Sequence, residues 1–198
     1  SLSLVERALT EQGGRFGTFP GATADPLFCA TYIHEIYTRA DPHYTGRATV
    51  PVLWDKERDT MVSNESAEIL RMFDKGFGDL ADPAFDLSPA DLLPEIDALN
   101  ARVYDTLNNG VYRAGFATTQ EAYDEAFHGV FVTLDWLEER LATTGPYLFG
   151  ERFTEADIRL FVTLVRFDPA YHGIFKCNQR PLASYEALSA YLKRILTL

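Results

Sequence analysis

Cysteine, positive charge and long apolar runs are all scarce in this chain, and each scarcity excludes a class of protein. The 198 residues contain two cysteines, Cys29 and Cys177, too few for a disulfide framework and typical of a reducing compartment such as the cytoplasm. Lys and Arg number 18 against 29 Asp and Glu, and the net charge of −11 disfavours nucleic acid and anionic membranes as partners. No apolar run reaches 18 residues, so no membrane-spanning segment is predicted.

Metal-binding and phosphate-binding motifs are also missing from the sequence. The four histidines, His34, His43, His128 and His172, form none of the short pairings that hold zinc, and Cys-x-x-Cys does not occur. We therefore expect no metal site. The glycine motifs of phosphate loops and of serine nucleophile elbows are absent as well. What the chain does have is 46% hydrophobic residues, which is ample for packed cores.

The sequence pattern changes character near residue 80, which indicates two domains. Before that point, short apolar segments predict strands at 1–6, 49–54 and 60–63, with helices at 25–39 and 66–73. Asp25-Pro26 has the composition of a helix start. After that point the periodicity predicts helices at 92–107, 119–142, 154–166 and 182–196. We assign a first domain to 1–78, a linker to 79–91 and a helical domain to 92–198.

Several polar residues have a structural interpretation that requires no ligand. Cys29 lies within the first predicted helix and is expected to be a buried thiol. Cys177 follows Lys176, a cation that can lower a thiol pKa, but no other feature supports a nucleophile there. Thr154 and Asp157 have the spacing of a capping box. Asp97, Glu138 and Glu139 are expected on solvated helix faces.

The stretch TVPVLWDKERDTMVSNESAEI, from 49 to 69, raises a different question because Pro51 interrupts an apparent strand. Proline is found in sheets only at edges, strand starts or bulges. Glu65 and Ser66 follow at the start of a helix, where polar residues commonly cap free N–H groups. Further on, NNGVYRAGF (108–116) breaks the helical pattern. It forms either a plain turn or a segment that directs Tyr112 into a cleft.

These blocks, together with FPGATADPLF and TEADIRLFVTLVRFDPAYHGIFKCN, resemble the glutathionyl-hydroquinone reductases, the Xi class of the glutathione transferases. The resemblance covers nearly the whole chain. It implies an α/β thioredoxin-like domain, N-terminally incomplete here, followed by the all-α glutathione transferase C-terminal domain. It also implies glutathione as co-substrate, a quinol-type substrate and a homodimeric full-length protein. The activity implied is glutathione-dependent reduction of glutathionyl-hydroquinones by thiol exchange.

The resemblance also implies roles for individual residues. Pro51 would follow a cis peptide bond that presents the Val50 backbone to the cysteinyl part of glutathione; a trans proline at a sheet edge is the alternative. Glu65 and Ser66 would bind the γ-glutamyl end, and Arg47 would also contact glutathione. In the second domain, two tyrosines would line the catalytic site, where each is otherwise a half-buried side chain with a wet hydroxyl. These are Tyr112 and Tyr171, and Tyr112 would act as the acid–base group.

The sequence departs from the family pattern at the nucleophile. The family carries a cysteine in a Cys-Pro-Trp-Ala motif, which does not occur in these 198 residues. A family tryptophan in the first loop is replaced by Gly13-Gly14-Arg15, and the family's C-terminal tail has no counterpart. We therefore expect a fragment that is inactive by itself. The alternative is a non-catalytic, glutathione-transferase-like binding or interaction module.

Overall fold

The computed structural model describes residues 2–6, 10–17, 19–82 and 85–198, and it divides into two compact units. The first is Ser1–Gly78 and the second is Asp79–Leu198. Residues 79–91, assigned from the sequence to a linker, fall within the second unit, where the Leu87 carbonyl accepts a hydrogen bond of 2.8 Å from the Glu155 N–H.

The first unit contains helix α1 (Ile33–Ala40), strands β1 (Leu53–Asp55) and β2 (Thr60–Ser63), and helix α2 (Ser66–Arg71). A π-helical turn, Met72–Gly76, continues α2, and a 3-10 turn follows at Gly78–Leu80. The two strands pair antiparallel, with an irregularity after Leu53. A small apolar core lies beneath them, because α1 turns Ile33, Ile36 and Tyr37 inward.

Three of the expectations for the first unit are wrong. The described residues of the predicted strand 1–6 form no strand. Within the described ranges, the Leu4 backbone bonds only to Thr23, through its carbonyl and its N–H, and the Glu6 backbone bonds only to the Arg15 carbonyl, whereas a ladder needs a continuous partner. The strand predicted at 49–54 begins at Leu53, so Pro51 precedes it and no ladder N–H is lost. The strand predicted at 60–63 is confirmed.

The third wrong expectation is the helix at 25–39, of which only the second half is helical. The Asp25 carboxylate accepts hydrogen bonds from the N–H groups of Leu27, Phe28 and Ala30, and this closes a non-helical turn. Cys29 lies in that turn with φ of 55° and is exposed. The buried helical thiol expected at this position is therefore not found, because Asp25 organises the backbone locally before α1 begins.

The second unit is helical, and its elements follow the predicted segments closely. They are α3 (Leu93–Val103), a π-helical turn (Tyr104–Asn108), α4 (Gly110–Gly115), α5 (Gln120–Thr144), α6 (Glu155–Arg166), a second π-helical turn (Phe167–Tyr171), a 3-10 turn (Leu182–Ser184) and α7 (Glu186–Ile195). The segment 108–116 is thus largely helical and not a plain turn. Helix α5 packs against α4 and α7, and its apolar face (Val130, Leu134, Leu137) is fully buried.

Two further expectations concern membranes and metals. Across the described ranges, no helix has the length and apolar content needed to cross a membrane. In the same residues, no three His, Cys, Asp or Glu side chains are grouped so that they could hold a metal ion.

Candidate active site

The segment before β1 is held in place by Tyr37, a buried residue of α1. Its hydroxyl donates to the Thr49 carbonyl at 2.9 Å and accepts from the Thr49 N–H at 3.2 Å. The neighbouring ring of Tyr44 lies 4.9 Å away, and its hydroxyl donates to the Arg47 carbonyl at 3.1 Å. Two tyrosines therefore fix the backbone from Arg47 to Thr49, directly before Val50.

Val50 carries an exposed backbone at the entrance to β1. The Val50–Pro51 bond is cis, which confirms the expectation for this bond. Val50 is 57% exposed. Its N–H and C=O have no hydrogen-bond partner in the part of the chain that the structure describes. An extended ligand backbone can occupy such groups as an added strand does.

Glu65 and Ser66 lie at the start of α2, but neither side chain caps the helix. Ser63, which precedes the helix, instead accepts from the Glu65 N–H at 3.1 Å and donates to Glu68 at 2.8 Å. The capping interpretation of Glu65 and Ser66 is therefore wrong. Both side chains are exposed and have no partner among the described residues, and the same holds for the Arg47 guanidinium.

Tyr112 and Tyr171 meet in the second unit, with their hydroxyl oxygens 2.9 Å apart. Tyr112, on α4, is 45% exposed, whereas Tyr171 is 4% exposed and closes the second π-helical turn. Burial, followed by the hydrogen bond with Tyr112, raises the pKa of Tyr171 well above its ordinary value. Tyr171 therefore stays protonated at neutral pH. One of the two hydroxyl protons lies between the oxygens; when Tyr171 donates it, the proton of the more exposed Tyr112 hydroxyl is left for a ligand.

Asn108, the last residue of the first π-helical turn, links that turn to α6. Its amide donates to the Thr163 hydroxyl at 2.5 Å and to the Arg159 carbonyl at 3.2 Å, both on α6. A π-helical turn rotates the residues that follow it relative to a regular helix, and such turns are frequent at functional sites. Asn108 thus couples the segment that carries Tyr112 to the helix that leads to Tyr171.

Neither cysteine has the setting of an activated thiol. Cys177 is fully buried, and burial raises its pKa to about 11. Lys176, which could have lowered this pKa, does not offset the burial of the thiol, and Cys177 is not an activated nucleophile, in agreement with the interpretation from the sequence. Cys29 is exposed in its turn, but it precedes the first residue of α1 by four positions and does not open a helix.

The capping box at Thr154 and Asp157 is confirmed, and it does more than cap α6. The Asp157 carboxylate accepts from the Thr154 N–H at 2.8 Å, from the Leu148 N–H at 3.0 Å and from the Tyr191 hydroxyl at 3.0 Å. It therefore joins α6, the preceding loop and α7. Burial raises the pKa of Asp157.

Sequence reasoning missed the residues that support the site. Tyr37 has no motif of its own and is recognisable only as an apolar position of α1, and Asn108 looks like a turn residue in NNG. Glu138, expected on a solvated face, instead accepts from the N–H groups of Ala187 and Leu188, both at 2.8 Å. These roles depend on partners 12 to 55 positions away in the chain, and local patterns do not reveal such partners.

Comparison with known proteins supports the resemblance inferred from the sequence. The family model for the glutathione S-transferase C-terminal domain matches residues 120–194. The chain is 53% identical over 195 residues to the glutathionyl-hydroquinone reductase PcpF of Sphingobium chlorophenolicum, covering 98% of the chain and 62% of that protein. It is 52% identical to the glutathionyl-hydroquinone reductase YqjG of Escherichia coli, covering 98% of the chain and 60% of that protein.

Solved structures agree with these matches. The glutathione-bound structure of Escherichia coli YqjG has a TM-score of 0.95 and 51% identity, covering 99% of the chain and 64% of that structure. Glutathione transferase Xi 1 of Trametes versicolor has a TM-score of 0.93 and 48% identity, covering 98% and 68%. The chain therefore belongs to the Xi class of the glutathione transferases. It spans about three fifths of the length of the curated relatives that it matches.

Proposed function

We propose that this chain carries the glutathione-holding and acid–base parts of a glutathione-dependent reductase of glutathionyl-hydroquinones. The observation that carries the proposal is the hydroxyl pair of Tyr112 and Tyr171, 2.9 Å apart, with one proton free for a ligand. The relatives named for this reaction and the glutathione in the Escherichia coli structure support the choice of substrate and co-substrate.

Glutathione binds to the first unit through groups that have no partner in the described chain. The Val50 N–H and C=O pair with the cysteinyl backbone, and the following Pro51 has no N–H of its own to compete. The Ser66 hydroxyl and the first N–H groups of α2 take the γ-glutamyl carboxylate, while Glu65 takes the ammonium in a charge-assisted bond. Arg47 supplies a guanidinium for a second carboxylate of the tripeptide.

The reaction is a thiol exchange in two steps. A thiolate attacks the sulfur of the glutathionyl-hydroquinone, the sulfur–carbon bond breaks, and the ring carbon takes a proton, so that hydroquinone leaves and a mixed disulfide with glutathione remains. A second glutathione thiolate attacks that disulfide, which gives oxidised glutathione and regenerates the first thiolate. Tyr112 supplies the proton in the first step, and buried Tyr171 keeps the Tyr112 hydroxyl oriented.

The thiolate of this scheme comes from neither cysteine of the chain, because Cys177 is buried with a raised pKa and Cys29 matches no nucleophile motif. We therefore propose that the 198 residues alone bind glutathione without turning over the substrate. We further propose that the working enzyme is a cytoplasmic homodimer. The free state of both cysteines supports the reducing location. The homodimer is what the resemblance to the family implies.

Glutathione titration of the chain by calorimetry tests the binding half. Glu65→Ala and Ser66→Ala should each weaken affinity about tenfold, since each removes a hydrogen bond to a charged group worth roughly 1.5 kcal/mol. Glu57→Ala removes the same charge from the exposed turn of the same unit and should leave affinity unchanged. Equal effects of the two glutamate variants would show that Glu65 acts only through net charge.

A turnover assay tests the catalytic half of the proposal. It compares the 198-residue chain with the same chain joined to a Cys-Pro-Trp-Ala segment of the family. Only the second protein should release hydroquinone, and Tyr112→Phe should lower its kcat by roughly 10²-fold or more. Tyr104→Phe, which removes an exposed hydroxyl from the same unit, is the matched control. A joined protein that binds glutathione but shows no turnover would favour the alternative, a non-catalytic binding module.

A further inference from the structure

The two tyrosines of the second unit belong to a cluster of four aromatic rings. Tyr112 and Phe116 stand at the end of α4, and Tyr171 and Phe175 stand in the segment after α6. The Phe175 ring is central to the group: its centroid lies 5.4 Å from Tyr112, 5.4 Å from Tyr171 and 5.3 Å from Phe116. A ring that contacts both tyrosines limits the positions that each can adopt.

Phe175 also lies directly on the backbone of Gly115, the last residue of α4. A Cβ atom at position 115 would fall 2.5 Å from Cγ of Phe175 and 2.8 Å from its Cβ, far inside van der Waals contact. Gly115 does not have the positive φ found at five other glycines of the chain, so its conformation suits any residue. Because alanine is the better helix former, the glycine here is explained by the space that Phe175 needs.

The segment that carries Phe175 cannot give way easily. The Cys177 N–H donates to the Tyr171 carbonyl at 3.0 Å, and the Ile174 N–H donates to the Ala170 carbonyl at 2.9 Å. From α5, the Tyr123 hydroxyl donates to the Lys176 carbonyl at 2.7 Å. A side chain at position 115 would therefore displace Phe175 against these hydrogen bonds, and the contacts of its ring with the two tyrosines would change.

We propose that Gly115 is a positioning residue of the active site: its bare backbone seats the Phe175 ring, and the seated ring holds the Tyr112 and Tyr171 hydroxyls at hydrogen-bond distance. The proposal rests on the function proposed above for the tyrosine pair. It gives a role to Gly115 and Phe175, two residues that take no part in the proposed glutathione binding or acid–base chemistry.

The test is nuclear magnetic resonance of the chain labelled with ¹³C at tyrosine Cζ, whose shift reports ionisation and hydrogen bonding of each hydroxyl. Tyr112→Phe and Tyr171→Phe assign the two signals. Gly115→Ala should shift both signals and lower the pKa of Tyr171 toward its ordinary value, because the ring displacement separates the hydroxyls. Gly129→Ala on α5, where an added Cβ meets nothing within 4 Å, should leave both signals in place.

A double-mutant cycle separates positioning from a general disturbance of α4. Phe175→Ala should by itself shift the same signals, and in that background Gly115→Ala should have no further effect. Signals left unchanged by Gly115→Ala, or shifted equally with and without Phe175, would overturn the proposal. If Gly115→Ala does not fold, Phe175→Ala decides, since unchanged tyrosine signals in that variant overturn the proposal as well.

The same variants distinguish this proposal from the proposed function. In the joined, thiol-containing protein, Gly115→Ala should lower kcat by roughly 10-fold to 10²-fold, the effect of a misplaced group, and leave glutathione affinity unchanged. If the tyrosine signals shift but Tyr112→Phe keeps full turnover, the positioning stands and the catalytic role of the tyrosines fails. If Tyr112→Phe abolishes turnover but Gly115→Ala leaves both tyrosine signals in place, the catalytic role of the tyrosines stands and the positioning role of Gly115 fails.

Discussion

At the scale of single residues, burial decides the chemistry more than neighbours in the sequence do. From the sequence, Cys29 falls within an apolar stripe and is expected to be buried, whereas Cys177 follows a lysine in a polar loop. The structure shows the opposite burial, because Cys177 is fully buried and Cys29 is exposed. The accessible thiol is thus the one that sequence reasoning assigned to the core.

Thiol labelling at pH 8 with iodoacetamide, read by peptide mass spectrometry, should therefore modify Cys29 and spare Cys177. With a pKa of about 11, Cys177 is ionised in roughly one molecule in a thousand at that pH, in addition to being inaccessible. Cys29→Ser should abolish rapid labelling, and Cys177→Ser should leave it unchanged. Rapid labelling of Cys177 in the folded chain would contradict the burial argument.

At the scale of elements, long-range capping holds the helical unit together. The Glu138 carboxylate on α5 accepts from two N–H groups in the first turn of α7, and Asp168 accepts from the N–H groups of Leu182 and Ala183 in the 3-10 turn. Each acidic side chain satisfies the free donors of another element, which local side chains leave unpaired. These contacts fix the entry of α7.

Glu138→Ala should lower the free energy of unfolding by about 2 kcal/mol, because two backbone donors at the start of α7 lose a charged acceptor. Amide exchange should accelerate first in α7. The control is Glu139→Ala, which removes the same charge from an exposed neighbour and should change stability little. Equal losses in both variants would mean that charge on α5, and not capping, is responsible.

Helices and strands that follow from the local hydrophobic pattern could be predicted from the sequence. Segments whose conformation depends on residues distant in the chain could not. Strand 60–63 and the helices after residue 92 follow from periodicity, since the buried face of each repeats along its own sequence. The apparent strand at 1–6 and the apparent helix from Asp25 have good local patterns. The strand does not form because its backbone bonds to Thr23 and Arg15 and not to a neighbouring strand. The first half of the helix does not form because the Asp25 carboxylate accepts the N–H groups that a helix would use.

The same division applies to the candidate site. The residues of the site that are proposed to contact ligands were identified through the resemblance to a family, and a family pattern carries information from many sequences. Its supporting residues, Tyr37, Asn108 and Gly115, were missed because each acts on another side chain or backbone group and not on a ligand. A glycine in a helix suggests flexibility from the sequence, whereas Gly115 provides space for a ring.

At the scale of the whole molecule, a net charge of −11 is distributed over a chain that still buries ionisable carboxyl groups in its helical unit. Asp157 is the clearest case, because its carboxylate connects the start of α6 with Leu148 and Tyr191. Its stabilising hydrogen bonds compete with the cost of keeping a charge out of water. The pKa of Asp157, raised by burial, indicates that the cost of charge is the larger effect.

This competition predicts how stability depends on pH. In the unfolded chain Asp157 ionises near its ordinary pKa of 3.8, whereas the folded chain holds the proton to higher pH. The contribution of protonated Asp157 is therefore complete below pH 3.8 and is lost as pH rises through the raised folded pKa. The free energy of unfolding of the wild type, minus that of Asp157→Asn, should fall as pH rises through that range.

Asp157→Asn should be less stable than wild type at every pH in that range, because an amide nitrogen then faces backbone donors in place of an acceptor. The loss is about 2–4 kcal/mol. Urea denaturation at several pH values measures the difference, and Asp124→Asn, an exposed change on α5, corrects for the loss of one negative charge. A difference that grows with pH would mean that the hydrogen bonds outweigh desolvation and that folding lowers the pKa of Asp157 instead of raising it.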